Sequence, residues 1–290
     1  MDYKKLQFGP LIKKIRLAKG FYLKEIASKT ISIAQLSRFE SGKSDISSEK
    51  FYHILDALLI ESNEFESFYS NETGQSLWKI FDISNANSSL NISEIEENLS
   101  YASKMCKTGN QTTFWKLQES ILRGHLSIAK SKPELVTSHD LHRIHSYLDK
   151  THYFGTFECK LMIYLMNYDG LINTHRYILK MLDNNNIFKN NHRTHNAILN
   201  VLFNALATSI EENYLPLANQ YLSAVKSLGI YHDMIFHKAE FRFAEACIEY
   251  LESKKKESIS QMYAIIEALE LLGETVLANN FKRTLNIIEK

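Results

Sequence analysis

The chain has 290 residues, 44% of them apolar, which is enough for a sizeable core in one large or two ordinary domains. Only three prolines and ten glycines occur in that length. This favours long helices with short connections over the many turns of a β-sandwich or barrel, and the reading is all-α. The net charge of +1 hides an uneven distribution: residues 1–60 carry 11 Lys and Arg against 6 Asp and Glu, or +5, and the rest carries 23 against 27, or −4. A small basic module ahead of a neutral to acidic helical body suggests a nucleic-acid reader joined to something that controls it.

Several classes are excluded early. The opening MDYKKLQFGPLIKK has no apolar core of signal-peptide length, and no window approaches the roughly 18–20 apolar residues that span a bilayer. A cytoplasmic protein without a membrane partner is expected. Cys106, Cys159 and Cys247 are far apart, odd in number and without metal-ligand spacing, so reduced thiols are expected. No nucleophile motif, Gly-rich phosphate loop or HExxH is present, so neither an enzyme nor a cofactor is expected.

In chain order, FGPLIKKIRLAKGF places Leu11, Ile12, Ile15 and Ala18 at helical spacing among Lys13, Lys14, Arg16 and Lys19, and stops at Gly20. YLKEIASK predicts a second short helix with Leu23, Ile26 and Ala27 inward. Ser32 is a good N-cap for a third over Ile33 to Ser41, closed by Gly42. Leu36 and Phe39 point to the core, which leaves Ile33, Ala34, Ser37 and Arg38 on the outer face. A fourth helix follows Ser47 or Ser48 and buries Phe51, Ile54, Leu55 and Leu58; ESNEFESFY adds a fifth.

Two short helices joined by a tight turn, the second capped by Ser and carrying a polar outer face with one Arg, fit a helix-turn-helix whose second helix enters the major groove. Residues 8–59 resemble the DNA-binding domain of phage repressors and XRE-type regulators through Ala27, Ile31, Ser32, Leu36, Ser37, Phe39, Glu40 and Gly42. The chain departs from the family pattern at Leu23, where a phosphate-holding Gln is usual, and Lys24 is the nearest substitute. The turn from Ala27 to Ile31 is also one residue short. The resemblance implies that Ile33, Ala34 and Arg38 face base edges and that Gln35, Lys43 and Ser44 face phosphates, with Ser32 and Ser37 on the same surface. The chemistry agrees: Arg can bind guanine O6 and N7, and small apolar groups can meet a thymine methyl. For Arg16 a structural pairing with Glu40 is favoured over a DNA contact.

From about residue 71 the text turns to Asn, Ser and Gly, with Leu77, Trp78, Ile80 and Phe81 interspersed as packing residues. We divide the chain into a helix-turn-helix domain at 1–68, a linker at 69–90 and a helical repeat domain at 91–290. Comparable helices begin near Phe157, Asn196 and Asp233, and NYLPLANQYLSAVKSLG has the layout of the second helix of a tetratricopeptide-like pair. Stacked helical hairpins with a concave face are expected. Arg193, Asn196, Asn200 and Asn204 fall at i, i+3, i+7 and i+11, one polar face. Asn is a poor helix former whose amide both donates and accepts, which suits a peptide backbone, although a solvated face explains the pattern equally well. Lys160 and Asn167 on the preceding first helix, and His237 and Glu240 on the following one, extend this candidate groove. His139, His142, His145 and His152 drift around a helix at spacing that does not suit a metal. A solvent-facing or interface patch sensitive to mild acid is the expectation, with no metal.

The architecture as a whole, an XRE-type helix-turn-helix followed by some 200 residues of helical repeats, resembles the Rgg-type peptide-sensing regulators. That resemblance implies a cytosolic transcription regulator that dimerises, reads an inverted repeat in double-stranded DNA and binds a short signalling peptide on its concave face. Two alternatives stand beside it: an XRE-type regulator whose helical domain binds a protein or small molecule, and a peptide-controlled protein-binding adaptor.

Overall fold

The computed structural model describes residues 8–73, 92–107, 112–183 and 191–290. Its described residues are helical, with no strand among them, and the chain divides into two compact units, residues 1–81 and 82–290. Leu77, Trp78, Ile80 and Phe81 lie outside the described residues, as do the breaks at KTGNQ and most of DNNNIFKNN.

The first unit holds α1 (Phe8–Ala18), α2 (Leu23–Ile26), α3 (Ile33–Glu40), α4 (Ser48–Ala57) and α5 (Ser62–Thr73). Leu11, Ile12, Ile15, Ile26, Ile31, Leu36, Phe39, Ile54, Leu55 and Leu58 form its core with Ile60, Phe65 and Tyr69; of the residues that the apolar spacing places inward, Leu23 and Phe51 pack at the core's edge, Ala27 is half-buried and Ala18 is exposed. Phe8, Phe51, Phe65 and Tyr69 close the far side as edge-to-face and tilted rings. The second helix is shorter than YLKEIASK suggests. Ala27 turns to extended geometry, the Ser28 N–H bonds the Ile31 carbonyl, and Ser28 Oγ accepts the Thr30 N–H at 3.0 Å. A serine thus offers the backbone a turn in competition with another helical residue. α5 runs to Thr73, which carries helix past residue 68.

Glycine permits the closest approach in this unit. A Cβ on Gly9 would lie 1.8 Å from the Phe39 carbonyl oxygen, so α1 and α3 meet at a distance no other residue allows.

The second unit begins with α6 (Ile92–Lys107), α7 (Thr112–Lys130) and α8 (Ser138–Lys150). It continues with α9 (Thr156–Asp169), α10 (Leu171–Asp183), α11 (His192–Glu211), α12 (Leu215–Leu228), α13 (Ile235–Ser253), α14 (Lys256–Leu271) and α15 (Thr275–Ile288). Helices α9, α11, α13 and α15 form one row; α10, α12 and α14 form the other, each packed against two members of the first. α11 starts four residues before Asn196, because Asn191 caps it by accepting the Thr194 N–H at 3.0 Å. α11 touches not only α13 but also α15, so the row curls back on itself. In α12, Ala218, Tyr221 and Val225 are buried, as small and large residues interleave in stacked hairpins. Gly170, between α9 and α10, has φ +83°, a conformation other residues rarely adopt.

The three cysteines are free thiols. Burial pushes Cys159 up to about 12 and raises Cys247 as well. These are inert core groups.

Candidate functional site

The outer face of α3 presents Ile33, Ala34, Ser37 and Arg38, all exposed. Ile33 is 50% exposed although Leu36 and Phe39 on the same helix are buried. Ser32 caps the helix, its Oγ accepting the Gln35 N–H at 3.2 Å. Lys43 and Lys24 are exposed at the two ends of this surface, and Lys24 lies 5.7 Å from the Tyr22 ring centroid. Gln35 and Ser44 differ from the sequence expectation in detail. Gln35 is half-buried, and its Oε1 accepts a hydrogen bond from Lys50 Nζ at 3.0 Å. With the oxygen engaged by Lys50, the amide nitrogen is the part of the side chain left to donate. Ser44 Oγ is enclosed and has no hydrogen-bond partner among the described residues, so its hydroxyl is turned inward and not toward a phosphate.

Arg16 is held behind this surface. Its Nε donates to Glu40 Oε1 at 2.7 Å, NH2 to Oε2 at 2.8 Å, and NH1 to the Phe21 carbonyl at 2.7 Å. Arg16 is 6% exposed and Glu40 3%, and the hydrogen bonds that Arg16 donates to Glu40 push the Arg16 pKa up. All three guanidinium nitrogens are engaged inside the unit, so Arg16 ties α1, the loop before α2 and α3 together. This is the structural pairing favoured from sequence.

In the second unit, Asn200 and Asn204 stand on α11 beside the first helix of the next repeat. A pocket of about 220 Å³ opens between α11, α13 and α15. Its floor is apolar: Phe203, Phe243 and Phe281 line it, the last two stacked at 3.9 Å between ring centroids. Asn204, Glu240 and Asn280 stand at its rim with Arg283 and Glu211, and Arg283 NH2 donates to Glu211 Oε1 at 3.2 Å. Asn204 Nδ2 donates back to the Asn200 carbonyl at 2.8 Å, which leaves its amide oxygen as an acceptor. Asn196 and Asn200 side chains are half-buried and make no hydrogen bond among the described residues. His237 pairs through Nδ1 with Glu240 at 3.1 Å and meets the Phe203 ring edge-to-face at 5.4 Å between centroids; its Nε2 is enclosed without a partner among the described residues.

The predicted groove residues therefore fall into two groups. Asn204 and Glu240 meet at one pocket, with Asn200 and His237 in contact with its members. Arg193 and Asn196 lie toward the start of α11, and Lys160 and Asn167 on α9, outside that pocket. Sequence reasoning missed Asn280, Arg283 and the stacked phenylalanines, and it missed Lys50 in the first unit. A signal for Asn280 exists in the sequence: it is an asparagine on α15, two first helices on from Asn204 on α11. None marks Lys50, whose partner is 15 residues away.

The histidine row also separates. His139, His142 and His152 are exposed, whereas His145 is clamped between Tyr177 OH at 2.9 Å and Asp169 Oδ2 at 2.7 Å. No group of three potential metal ligands occurs among the described residues.

Residues 96–283 match the family profile described as HTH-type transcriptional regulator Rgg, C-terminal domain. Among solved structures, the chain is similar to the SHP pheromone receptor Rgg2 of Streptococcus dysgalactiae, with TM-score 0.77, 17% identity and coverage of 97% of this chain and 99% of that one. It is also similar to a putative transcriptional regulator from Listeria monocytogenes EGD-e, with TM-score 0.78, 18% identity and 97% of each chain covered. A third similar structure is the PrgX/cCF10 complex, with TM-score 0.73, 16% identity, and 98% and 92% covered. At such identities the likeness establishes the fold.

Proposed function

The chain belongs to the Rgg family of helix-turn-helix transcriptional regulators, and from that premise we propose that a short signalling peptide bound by the repeat unit controls how the N-terminal unit acts on DNA. The solved structures it resembles include a receptor described as a pheromone receptor and a complex of PrgX with cCF10, which supports the peptide reading. The observation that carries it is the pocket between α11, α13 and α15, with phenylalanines below and Asn204, Asn280 and Glu240 above. An apolar floor accepts one side chain of an extended peptide; rim amides, donor and acceptor at once, hold its backbone. Asn196 and Asn200 continue the hydrogen-bonding row along α11 toward Arg193, which suits a peptide carboxylate. Lys160 and Asn167 on α9 would meet the peptide's far end.

On the DNA side, Arg38, Ile33 and Ala34 read base edges, while Lys24, Lys43, Ser32, Ser37 and the amide nitrogen of Gln35 hold the backbone. The enclosed hydroxyl of Ser44 leaves only its backbone N–H for such a contact. One short recognition helix buries little surface, so a homodimer reading an inverted repeat is the arrangement that gives useful specificity. The division into a reader, a linker and a sensing domain at 91–290 belongs to this proposal, as do a cytoplasmic location and a non-enzymatic role; the reader expected at 1–68 extends to Thr73, because α5 runs that far and Tyr69 packs in the core. Among the described residues no helix is long and apolar enough to cross a membrane.

The test begins with selection of duplexes from a random pool by the full chain and of binders from a library of short synthetic peptides. An inverted repeat and a peptide family with a fixed apolar position are expected. Failure to enrich any duplex would overturn the DNA half, and peptides enriched equally by an Asn204→Ala, Asn280→Ala double variant would overturn the placement of the peptide.

A further inference from the structure

A second concave site lies away from the pocket just described, between the first two turns of α7 and the last two of α8. It is about 400 Å³ in volume and is lined by nine residues. Lys116, Arg143 and Lys150 contribute three positive charges, His142 adds an imidazole, and no carboxylate lines it. Lys116 and Lys150 make no ion pair among the described residues. Arg143 donates from NH1 to Glu119 at 2.7 Å, but its Nε is enclosed with no hydrogen-bond partner among the described residues. The Arg143 charge is already compensated by Glu119 at 2.7 Å and Asp140 at 3.8 Å; the two lysines without an ion pair and the open, enclosed Nε of Arg143 are the groups that an anion would satisfy. The remaining wall is hydroxyl and apolar: Thr113 and Ser146 supply donors, and Leu117 and the Tyr147 ring supply carbon surface.

We propose that this site binds a small molecule bearing a phosphate group, held by Lys116, Lys150 and Arg143, with its organic part against Leu117 and Tyr147. Lysine ammonium groups from opposite walls fit a dianion, as point charges do in many phosphate sites. The carbon surface favours a phosphorylated organic compound over bare phosphate, and the volume suits a molecule of nucleotide size. The site is independent of the peptide reading: it is built on α7 and α8, and the peptide pocket on α11, α13 and α15.

The experiment is a calorimetric titration of the full chain with adenosine 5′-monophosphate and, separately, with inorganic phosphate, at constant ionic strength. Saturable binding of either is expected, with the nucleotide at least several-fold tighter, and at least a tenfold loss in Lys116→Met and in Lys150→Met. Lys226→Met, on α12, serves as the charge control and should bind as the parent chain does. Thermal melts of the Lys116 and Lys150 variants should match or slightly exceed the parent, because either change relieves like-charge repulsion and breaks no ion pair among the described residues, and the Lys226 variant should match it. Absence of saturable binding by both probes would overturn the proposal, as would equal losses in the Lys226 control. Loss confined to duplex DNA affinity in the Lys116 and Lys150 variants, with neither small probe bound, would assign the patch to nucleic acid and overturn it too.

Discussion

The two units solve the same problem, presenting a recognition surface, in opposite ways. In the first, nearly every exposed residue proposed to read DNA falls between Ser32 and Lys43 on one short helix and its flanks. That helix is fixed from behind by a one-to-one ion pair, Arg16 with Glu40. In the second, the pocket draws on α11, α13 and α15, residues more than 70 apart in sequence being joined by Thr284 and Arg283 reaching Glu211. Its buried charges are shared: Arg143 bonds Glu119 at 2.7 Å and lies 3.8 Å from Asp140, while Arg123 sits 3.3 Å from Glu119 and 3.8 Å from Asp140. The first unit rests on one buried pair behind its surface, whereas the second, on α7 and α8 away from its pocket, shares its charges among four groups.

The largest effect expected from this contrast is at Glu40. Glu40→Ala leaves a buried guanidinium without its carboxylate and should cost the first unit about 3–5 kcal/mol, seen as early loss of its transition in urea. Glu119→Ala should cost the second unit clearly less, because Asp140 remains to serve both arginines. Equal losses would erase the distinction between the two units. Glycines extend the comparison. A Cβ on Gly9 meets backbone, at 1.8 Å from the Phe39 oxygen, whereas one on Gly124 meets the Tyr164 ring at 2.2 Å. Gly9→Ala should destabilise by about 3 kcal/mol or more and Gly124→Ala by about 1–3, since a ring can shift where a helix backbone cannot. Paired thermal melts decide the order.

The next effect down concerns recognition and leaves the fold intact. Arg38→Ala should weaken binding to a selected duplex by about 1–3 kcal/mol with an unchanged melt. Lys50→Met frees the Gln35 amide to rotate and should lose less, evenly across sequences, because it positions a backbone contact. A competition assay with mismatched duplexes separates the two patterns.

The smallest effect is acid sensitivity. Burial, opposed in part by the Gly229 carbonyl bonded to its Nε2, lowers the His195 pKa from 6.5. A lowered folded value means that the native state binds fewer protons than the unfolded one. The stability His195 contributes is therefore complete above about pH 6.5 and lost as pH falls through the folded value. Melts of the second unit should soften slightly below that point in the parent chain and less in His195→Gln.

How much of this was readable in advance follows the same division. The helix-turn-helix was legible almost residue by residue because its signals are local: a Ser cap, a closing glycine, apolar spacing of three and four. Even the long-range Arg16–Glu40 pair was reachable, since a buried motif Glu needs a cation and the first helix supplies one. Local chemistry still misled twice. Ser28 shortened α2 by a turn that propensity does not reveal, and Ser44, polar and next to Lys43, turned its hydroxyl inward. In the repeat unit the helices and the polar row on α11 could be read, but not which rows meet, because that depends on how far the stack curls. The contact of α11 with α15 is what brings Asn280 to Asn204, and no spacing within either helix encodes it. His145 shows the same limit: it looks like one of four in a row until Tyr177 and Asp169 arrive from two other helices.

The central claim is that the distributed surface controls the local one. It is tested most directly by fluorescence anisotropy of a selected duplex titrated with the full chain, with and without the selected peptide, in the parent and in an Asn200→Ala, Asn204→Ala variant. The account predicts equal DNA affinity for both proteins without peptide, a peptide-dependent change in the parent, and a response in the variant displaced by about 1–3 kcal/mol or more in peptide affinity. An unchanged peptide response in the variant, with its melt intact, would contradict it.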